Sequence, residues 1–376
     1  MDFDVVVIGA SSAGLFAAEI LANNGKKVAL FEKSDLVDPE SRLYIITPGL
    51  FRVMPDVNPA LVRHKISKIH IQSGSEKTEI NLSSPDVIID RKELLLDLIE
   101  RAKNAGVHIH TESEFLGFNS NKANPGIKIR TKDAELEIRS KILISADGVN
   151  SRIRSECFTD NLLKVPLLQA EIDLPSTWDE NTTRVWFNVD STPYFFWGIP
   201  DKNQKAVVGL IAEKGVDIRR LLDDFLADQS LHANTYQSGE AAMHSPGTEI
   251  ETRIGDIQVF FAGDVAGQVK VTTVGGTVTG LFGGKAAAEA ILTGASYCER
   301  LKSVQRELDL HYFIRNMLEK MSADDYEKLI RSITPPVLNL LSSHDRDGMR
   351  AHFWKLPILQ PGFIPLGLKL LLKSLV

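Results

Sequence analysis

At 376 residues, with 43% hydrophobic and 24% charged positions, the chain has room for a large core and two or three sub-domains. Its formal net charge of −6 argues against a nucleic-acid partner. Two cysteines, Cys157 and Cys298, make no disulfide framework and are expected to be reduced, partly buried thiols of a cytoplasmic protein. The nine histidines are scattered, and no metal-ligand spacing appears.

Asp4-Val5-Val6-Val7-Ile8 is a short β-branched run that suits a buried parallel strand. It has no basic leader and is too short for a signal sequence. Gly9-Ala10-Ser11-Ser12-Ala13-Gly14 then predicts a turn, residues 15–24 a helix stopped by Gly25, and 27–31 a second strand followed by Glu32 and Lys33. Strand, glycine turn, helix, strand and acid is the order of the dinucleotide fingerprint. Gly9 makes the tight turn, and Gly14 lets helix and strand pack closely. The helix start at Ser12 and Ala13 faces a pyrophosphate, and Glu32 accepts from ribose hydroxyls. Ser11 stands where the second glycine belongs, and its hydroxyl could bond a phosphate. The bland alternative is an ordinary βαβ unit with a small-residue turn.

Residues 66–72 and 77–82 read as a hairpin turning at Ser73-Gly74-Ser75. Ile89-Asp90-Arg91 opens an amphipathic helix that runs to Asn104 and ends at Gly106. Runs at 107–111, 117–119, 127–131 and 134–138 predict a meander. An apolar strand over 141–145 ends in the turn Ala146-Asp147-Gly148. From 167 to 209 strand-like runs dominate, among them 184–189, 194–199 and 205–211, a sheet able to wall a substrate cavity. Its aromatics include Trp186, Phe187, Tyr194, Phe195, Phe196 and Trp197. Consecutive aromatics point to both faces of a strand, so one face must meet something other than the sheet's own core. An apolar tunnel and simple packing both fit. Residues 218–227 read as a helix.

The run 257–262 leads into Gly263-Asp264, which lets the backbone turn and leaves a carboxylate at a strand tip. Gly275-Gly276 brings bare N–H groups to the start of a small-residue helix over 277–292, opened by Thr277, where an anionic or electron-rich ligand can approach. With the N-terminal fingerprint this points to a flavin. Beyond 297 the chain is mostly helical. Its tail is uncharged over 356–368, broken by Pro357, Pro361 and Pro365, and flanked or followed by Lys355, Lys369 and Lys373; 366–375 reads as a short apolar helix. The uncharged run is shorter than the roughly 20 residues of a spanning helix. It is suited to lie in a bilayer interface with its lysines at headgroups, or to dock on its own protein or a second subunit.

Asp147-Gly148 and Gly263-Asp264 on two distant strand ends, behind a βαβ fingerprint, are the set of the para-hydroxybenzoate hydroxylase-like flavoproteins, which this chain resembles over nearly all its length. Within them it is most similar to the geranylgeranyl reductase family. Residues 267–276 match that family's Gly-Gln-Val-Lys-Pro-Thr-Thr-Gly-Gly-Gly except at Val271 and Val274. Phe195-Phe196-Trp197-Gly198-Ile199-Pro200 is similar to its Tyr-x-Trp-x-Phe-Pro element, with Phe195 for the tyrosine and Ile199 for the phenylalanine, and 314–329 resembles its C-terminal helical segment.

The resemblance implies an α/β fold. A Rossmann-like FAD-binding domain (1–60, 85–165, 250–296) is interleaved with an antiparallel-sheet substrate domain (61–84, 166–249), followed by a C-terminal helical cap and apolar tail (297–376). It implies FAD held by Gly9, Ser11, Ser12, Ala13, Gly14, Glu32, Lys33, Arg42, Arg91, Ala146, Asp147, Gly148, Gly263, Asp264, Gly275, Gly276 and Thr277, with Arg91 over the cofactor and Phe195 and Trp197 toward substrate. The implied reaction is saturation of carbon–carbon double bonds in a polyprenyl, geranylgeranyl-type lipid by hydride from reduced flavin. The electron donor would be a nicotinamide or a ferredoxin-like protein, and the location the cytoplasm or the inner face of the cell membrane. For the proton donor Tyr44, Tyr194 and a bound water stay open. Many members carry a Cys-Gly element where this chain has 41–49 without cysteine, so a thiol mechanism is not available, and Val274 adds bulk beside the expected flavin face. Alternatives are an FAD-dependent aromatic-ring monooxygenase and a non-catalytic flavin-binding protein. A halogenase fits less well, because Trp197-Gly198-Ile199-Pro200 is only a fragment of the Trp-x-Trp-x-Ile-Pro element.

Overall fold

The computed structural model describes residues 2–36, 38–119, 125–159 and 162–372. The chain forms two compact units, Met1–Arg42, Asp90–Leu163 and Ala242–Asp309 in the first, and Leu43–Ile89, Lys164–Ala241 and Leu310–Val376 in the second.

The first unit is built on a six-stranded sheet in the order Glu251–Ile254, Ile257–Phe261, Ile142–Ser145, Val5–Ile8, Val28–Phe31, His108–His110. All pairings are parallel except the outermost, between Glu251–Ile254 and Ile257–Phe261. Val5–Ile8 and Val28–Phe31 are buried at every position, as continuous apolar runs require in a covered parallel sheet. Helix Ser12–Asn23 packs against helix Thr277–Thr293. The small residues of the latter have a cause: a Cβ on Gly284 would clash with the Ala13 carbonyl, and one on Gly280 would meet the Gly263 backbone at 3.3 Å. Helix Arg91–Asn104 starts at the N-cap Asp90.

One expectation is corrected here. The run 107–111 is no part of the meander, because His108–His110 pairs in parallel with Val28–Phe31 and the His110 ring stacks on Phe31 at 4.8 Å. The meander proper is three-stranded, Glu114–Phe118, Ile127–Arg130 and Glu135–Ile138, with Ile127 and Ile129 buried and Lys128 and Arg130 exposed.

The second unit holds an eight-stranded sheet in the order Ala233–Ala242, Lys164–Asp173, Lys205–Ile211, Phe196–Asp201, Thr182–Trp186, His64–Ser73, Glu76–Asp90, Leu43–Ile46. The hairpin is where the sequence placed it, turning at Gly74, while its second strand runs on to Asp90 past a register shift at Ile66/Lys68. The consecutive aromatics do divide between two faces. Trp186 and Phe196 join Leu222, Phe225 and Leu226 of helix Ile218–Asp228, with the Phe196 ring stacked on Phe225 at 4.0 Å. On the other face Ile66, Ile88, Ile199 and Val207 are buried beside the half-buried Leu43, Ile45 and Trp197. A buried phenylalanine such as Phe196 stabilises by about 3–5 kcal/mol relative to alanine.

The expected helical segment 314–329 is two helices. Tyr297–Leu318 ends, and Ala323–Arg331 starts on a capping box in which Ser322 Oγ accepts from the Asp325 N–H and the Asp325 carboxylate accepts from the Ser322 N–H. Helix Phe363–Leu372 lays Leu366 and Leu370 against Met321 and Tyr326. Its Lys369 Nζ donates to Asp325 Oδ1 at 2.5 Å. Burial alone would raise that carboxyl, but the Lys369 ammonium and Ser322 pull it down to about 2. Lys369 is therefore an ion-pair partner within its own unit; Lys373 lies outside the described residues. Among the described residues no helix is long and apolar enough to cross a membrane.

Candidate functional site

Strand register assembles the site in the first unit. Ile8 pairs with Phe31 and with Ser145, and Ser145 pairs with Phe261. The segments that follow, at Gly9, Glu32, Ala146 and Gly263, therefore leave the sheet side by side at its carboxyl edge, where open α/β sheets bind ligands. Gly9 has φ +101°, and its N–H donates to the Phe31 carbonyl at 2.9 Å. A Cβ on Gly9 would clash with the Ala146 carbonyl, and one on Gly14 with the Gly9 carbonyl. Ser11 departs from glycine for a local reason: it is the N-cap of helix Ser12–Asn23, and its Oγ accepts from the Gly14 N–H at 3.3 Å. Its hydroxyl proton is left to donate. The N–H groups of Ser12 and Ala13 lie in the first turn, which has no intrahelical acceptors. Glu32 is held by the Ala10 N–H at 2.8 Å and the Ser34 N–H at 2.9 Å, one on each oxygen, and each oxygen keeps a lone pair. Lys33 beside it is exposed.

Asp90 was not singled out in the sequence, yet it brings Arg42 and Arg91 together. Its carboxylate accepts from Ser41 Oγ at 2.6 Å, the Arg42 N–H at 3.3 Å and the Lys92 N–H at 2.9 Å. The Arg91 N–H donates to the Arg42 carbonyl at 2.8 Å, and Arg91 Nη1 to the Glu40 carbonyl at 3.2 Å. The available signal was an acid directly ahead of a helix. Asp147 turns back onto its own strand end, where Ser145 Oγ donates to it at 2.6 Å. Burial raises its carboxyl, and bonds from Ser145 and Ser151 oppose the rise. With Gly148 at φ +82°, Asp147 shapes the turn.

The Gly263–Ala266 turn is braced from behind. The Gly263 N–H donates to Gln268 Oε1 at 2.7 Å, Gln268 Nε2 to the Tyr297 hydroxyl at 2.9 Å, and that hydroxyl to the Phe261 carbonyl at 2.8 Å. Thr279 Oγ1 donates to the Gln268 carbonyl at 2.5 Å, and the Gln268 amide fills the place of a Cβ on Gly283. Asp264 differs from Asp147. Among the described residues nothing bonds its carboxylate, and burial pushes it up to about 6. A Cβ on Gly276 would stand 3.1 Å from Asp264 Oδ1, so glycine keeps that side open. Gly275 accepts from the Lys270 N–H at 3.1 Å, and Thr277 starts the next helix. Directly before Gly275, Val274 has φ +50°, a conformation that costs a β-branched residue on the order of 1–3 kcal/mol.

This donor and acceptor set fits a dinucleotide with a hydroxylated linker. Asp264 offers a half-buried acceptor without a donor among the described residues, Glu32 has spare lone pairs, and two helix starts present N–H groups. Four further sequence candidates belong to the second unit. Tyr44 is half-buried in strand Leu43–Ile46. Tyr194 is buried under the Arg315 guanidinium, 4.3 Å from its ring centre, and burial pushes its phenol up. Phe195 meets Trp197 edge-on at 6.2 Å, and Trp197 lies opposite Gly209, where a Cβ would clash with the indole. Cys298 is exposed rather than partly buried; desolvation and Glu251 push its thiol up to about 11, and burial pushes Cys157 up to about 12. Neither is poised as a thiolate.

The family described as FAD binding domain matches residues 2–276. The chain is 28% identical over 360 residues to the digeranylgeranylglycerophospholipid reductase of Methanocaldococcus jannaschii, covering 88% of this chain and 90% of that one. It is 25% identical over 361 residues to the enzyme of the same name from Methanococcus aeolicus, covering 91% and 90%. Among solved structures, a geranylgeranyl bacteriochlorophyll reductase-like protein from Thermoplasma acidophilum gives a TM-score of 0.80 at 19% identity over 97% of this chain and 99% of its own. A p-nitrophenol 4-monooxygenase from Pseudomonas putida gives 0.66 at 14% identity over 97% and 98%. At these identities the two structures speak for the fold, which reductase-like protein and monooxygenase share. The resemblance read from the motifs is borne out: the chain belongs to the FAD binding domain family, and FAD is its cofactor.

Proposed function

We propose that this protein saturates carbon–carbon double bonds in the polyprenyl chains of a lipid. The observation that carries the reading is its similarity, over nearly the full length of both chains, to proteins named as reductases of such lipids. FAD, when bound in its reduced form, supplies the hydride for one alkene carbon; the other carbon takes a proton from Tyr44, Tyr194 or water. Gly9, Ser11 to Gly14 and Glu32 hold the nucleotide end, with Lys33, Arg42 and Arg91 adding positive charge. Ala146, Asp147 and Gly148 shape the adjoining strand end, and Gly263 with Asp264 takes a hydroxyl of the linker. The helix start at Gly275, Gly276 and Thr277 favours negative charge in its N–H field. Phe195 and Trp197 give the prenyl chain an apolar wall that excludes water. The electron donor is a nicotinamide or a ferredoxin-like protein.

The same reading gives the enzyme a peripheral place on the inner face of the membrane that holds its substrate. Trp354, Ile358, Ile364 and Leu368 are 48–65% exposed, and no acidic residue follows Asp347. The test of function is product mass from reduced enzyme and a geranylgeranyl lipid. A gain of two hydrogens per bond supports reduction, and a gain of one oxygen would transfer the case to the monooxygenase reading.

A further inference from the structure

His244 is only 1% exposed, and both of its ring nitrogens face acceptors. Nδ1 lies 3.2 Å from the Gly267 carbonyl oxygen, and Nε2 lies 2.9 Å from Asp309 Oδ1. A carbonyl oxygen and an ionised carboxylate can only accept. A neutral imidazole has one N–H and would leave one of these contacts acceptor against acceptor. A ring protonated at both nitrogens donates to both.

Gly267 is a consequential partner. It closes the Gly263–Ala266 turn that carries Asp264, and it does so in the left-handed conformation at φ +61°. A Cβ there would touch the His244 backbone at 3.5 Å, so turn and histidine are packed together. A buried arginine grips the same turn. Arg154, 4% exposed, donates Nη1 to the Val265 carbonyl at 3.3 Å and to the Glu249 carbonyl at 2.9 Å. Val265 and Gly267 follow Asp264 by one and three residues. The turn is thus held at its carbonyls by His244 and Arg154, while among the described residues nothing bonds the Asp264 carboxylate.

We infer that His244 is a positioning residue of the FAD site: a doubly protonated imidazole, paired with Asp309, that fixes the Gly267 carbonyl and with it the turn presenting Asp264. The inference rests on the assignment of FAD to that turn. It acts through the backbone and not on the reacting atoms.

The test uses the full-length, FAD-loaded protein with 15N-labelled histidine at neutral pH. His244→Gln identifies the signal by its loss. Both His244 nitrogens should show the shifts of a protonated ring, and Asp309→Asn should convert them to those of a neutral tautomer. A neutral ring in the unmodified protein overturns the inference. FAD affinity, from flavin fluorescence, should fall by about tenfold in His244→Gln, as loss of a charge-assisted bond that orders the turn predicts. A lower urea midpoint with unchanged FAD affinity would make His244 a packing residue only and overturn the inference. If His244→Gln does not fold, Asp309→Asn carries the affinity arm, with the same outcomes. Absence of FAD from the unmodified protein would instead overturn the site assignment, and the ring spectrum would still be readable.

Discussion

Asp264→Asn separates what the folded chain needs from what the cofactor needs. Burial raises the Asp264 carboxyl to about 6, against about 3.9 in an unfolded chain. Because the folded value is the higher one, folding takes up a proton between about pH 4 and 6. Below about pH 4 the group is neutral in both states and has no effect. The penalty for its charge grows through that window and is constant above about pH 6. Two units correspond to about 3 kcal/mol. Asp264 is half-buried by surface area, so about 1–3 kcal/mol is the expected range. Asparagine has no charge to desolvate. The flavin-free variant should therefore be more stable than the parent by that amount at about pH 8 and equal to it near pH 4. FAD binding should change the other way. Loss of a charged acceptor for a cofactor hydroxyl is worth about 1.5–3 kcal/mol, or about 10- to 100-fold in affinity. Urea denaturation of the flavin-free proteins at the two pH values and fluorescence titration with FAD measure both. A variant less stable than the parent at the higher pH, or one with unchanged FAD affinity, would refute the reasoning.

Tyr297→Phe leaves the Phe261 carbonyl and the Gln268 amide without a partner in the core, and should lower stability by about 1–3 kcal/mol in urea denaturation; an unchanged midpoint would mean the hydroxyl is idle. Gly209→Val drives a side chain into the Trp197 indole. FAD content should hold while turnover of a long prenyl lipid falls about 10- to 100-fold, and an equal loss on a short soluble analogue would point to general damage instead. Replacing Trp354, Ile358, Ile364 and Leu368 together by serine should release the protein from anionic vesicles with FAD content unchanged, since each such side chain contributes about 1.5–3 kcal/mol when buried. Loss of flavin in that variant would mark the residues as part of the fold.

The parts legible in advance were those with local signals. The glycine turn at Gly9, the helix from Arg91 and the hairpin at Gly74 follow from positive φ, capping and period-two patterning within a few residues. The split of Phe196 and Trp197 between two faces follows from the same period of two. What was missed depends on distant partners. Tyr297 braces Gln268 from 29 positions away, and Lys369 finds Asp325 across 44. His108–His110 is a three-residue strand whose parallel partner lies across an intervening unit of chain, so its pattern resembled the meander beside it. Asp147 and Asp264 look alike as strand-end acids; only the serines around the first show that its carboxylate is already engaged.

The central claim is most directly tested by reoxidation of the reduced enzyme without oxygen. The FAD-loaded protein is reduced with a stoichiometric amount of dithionite, mixed anaerobically with a geranylgeranyl lipid, and followed by flavin absorbance and product analysis. The account predicts that the oxidised flavin spectrum returns, with one double bond saturated per flavin reoxidised. A flavin that stays reduced until oxygen is admitted, and then yields a hydroxylated product, would contradict it.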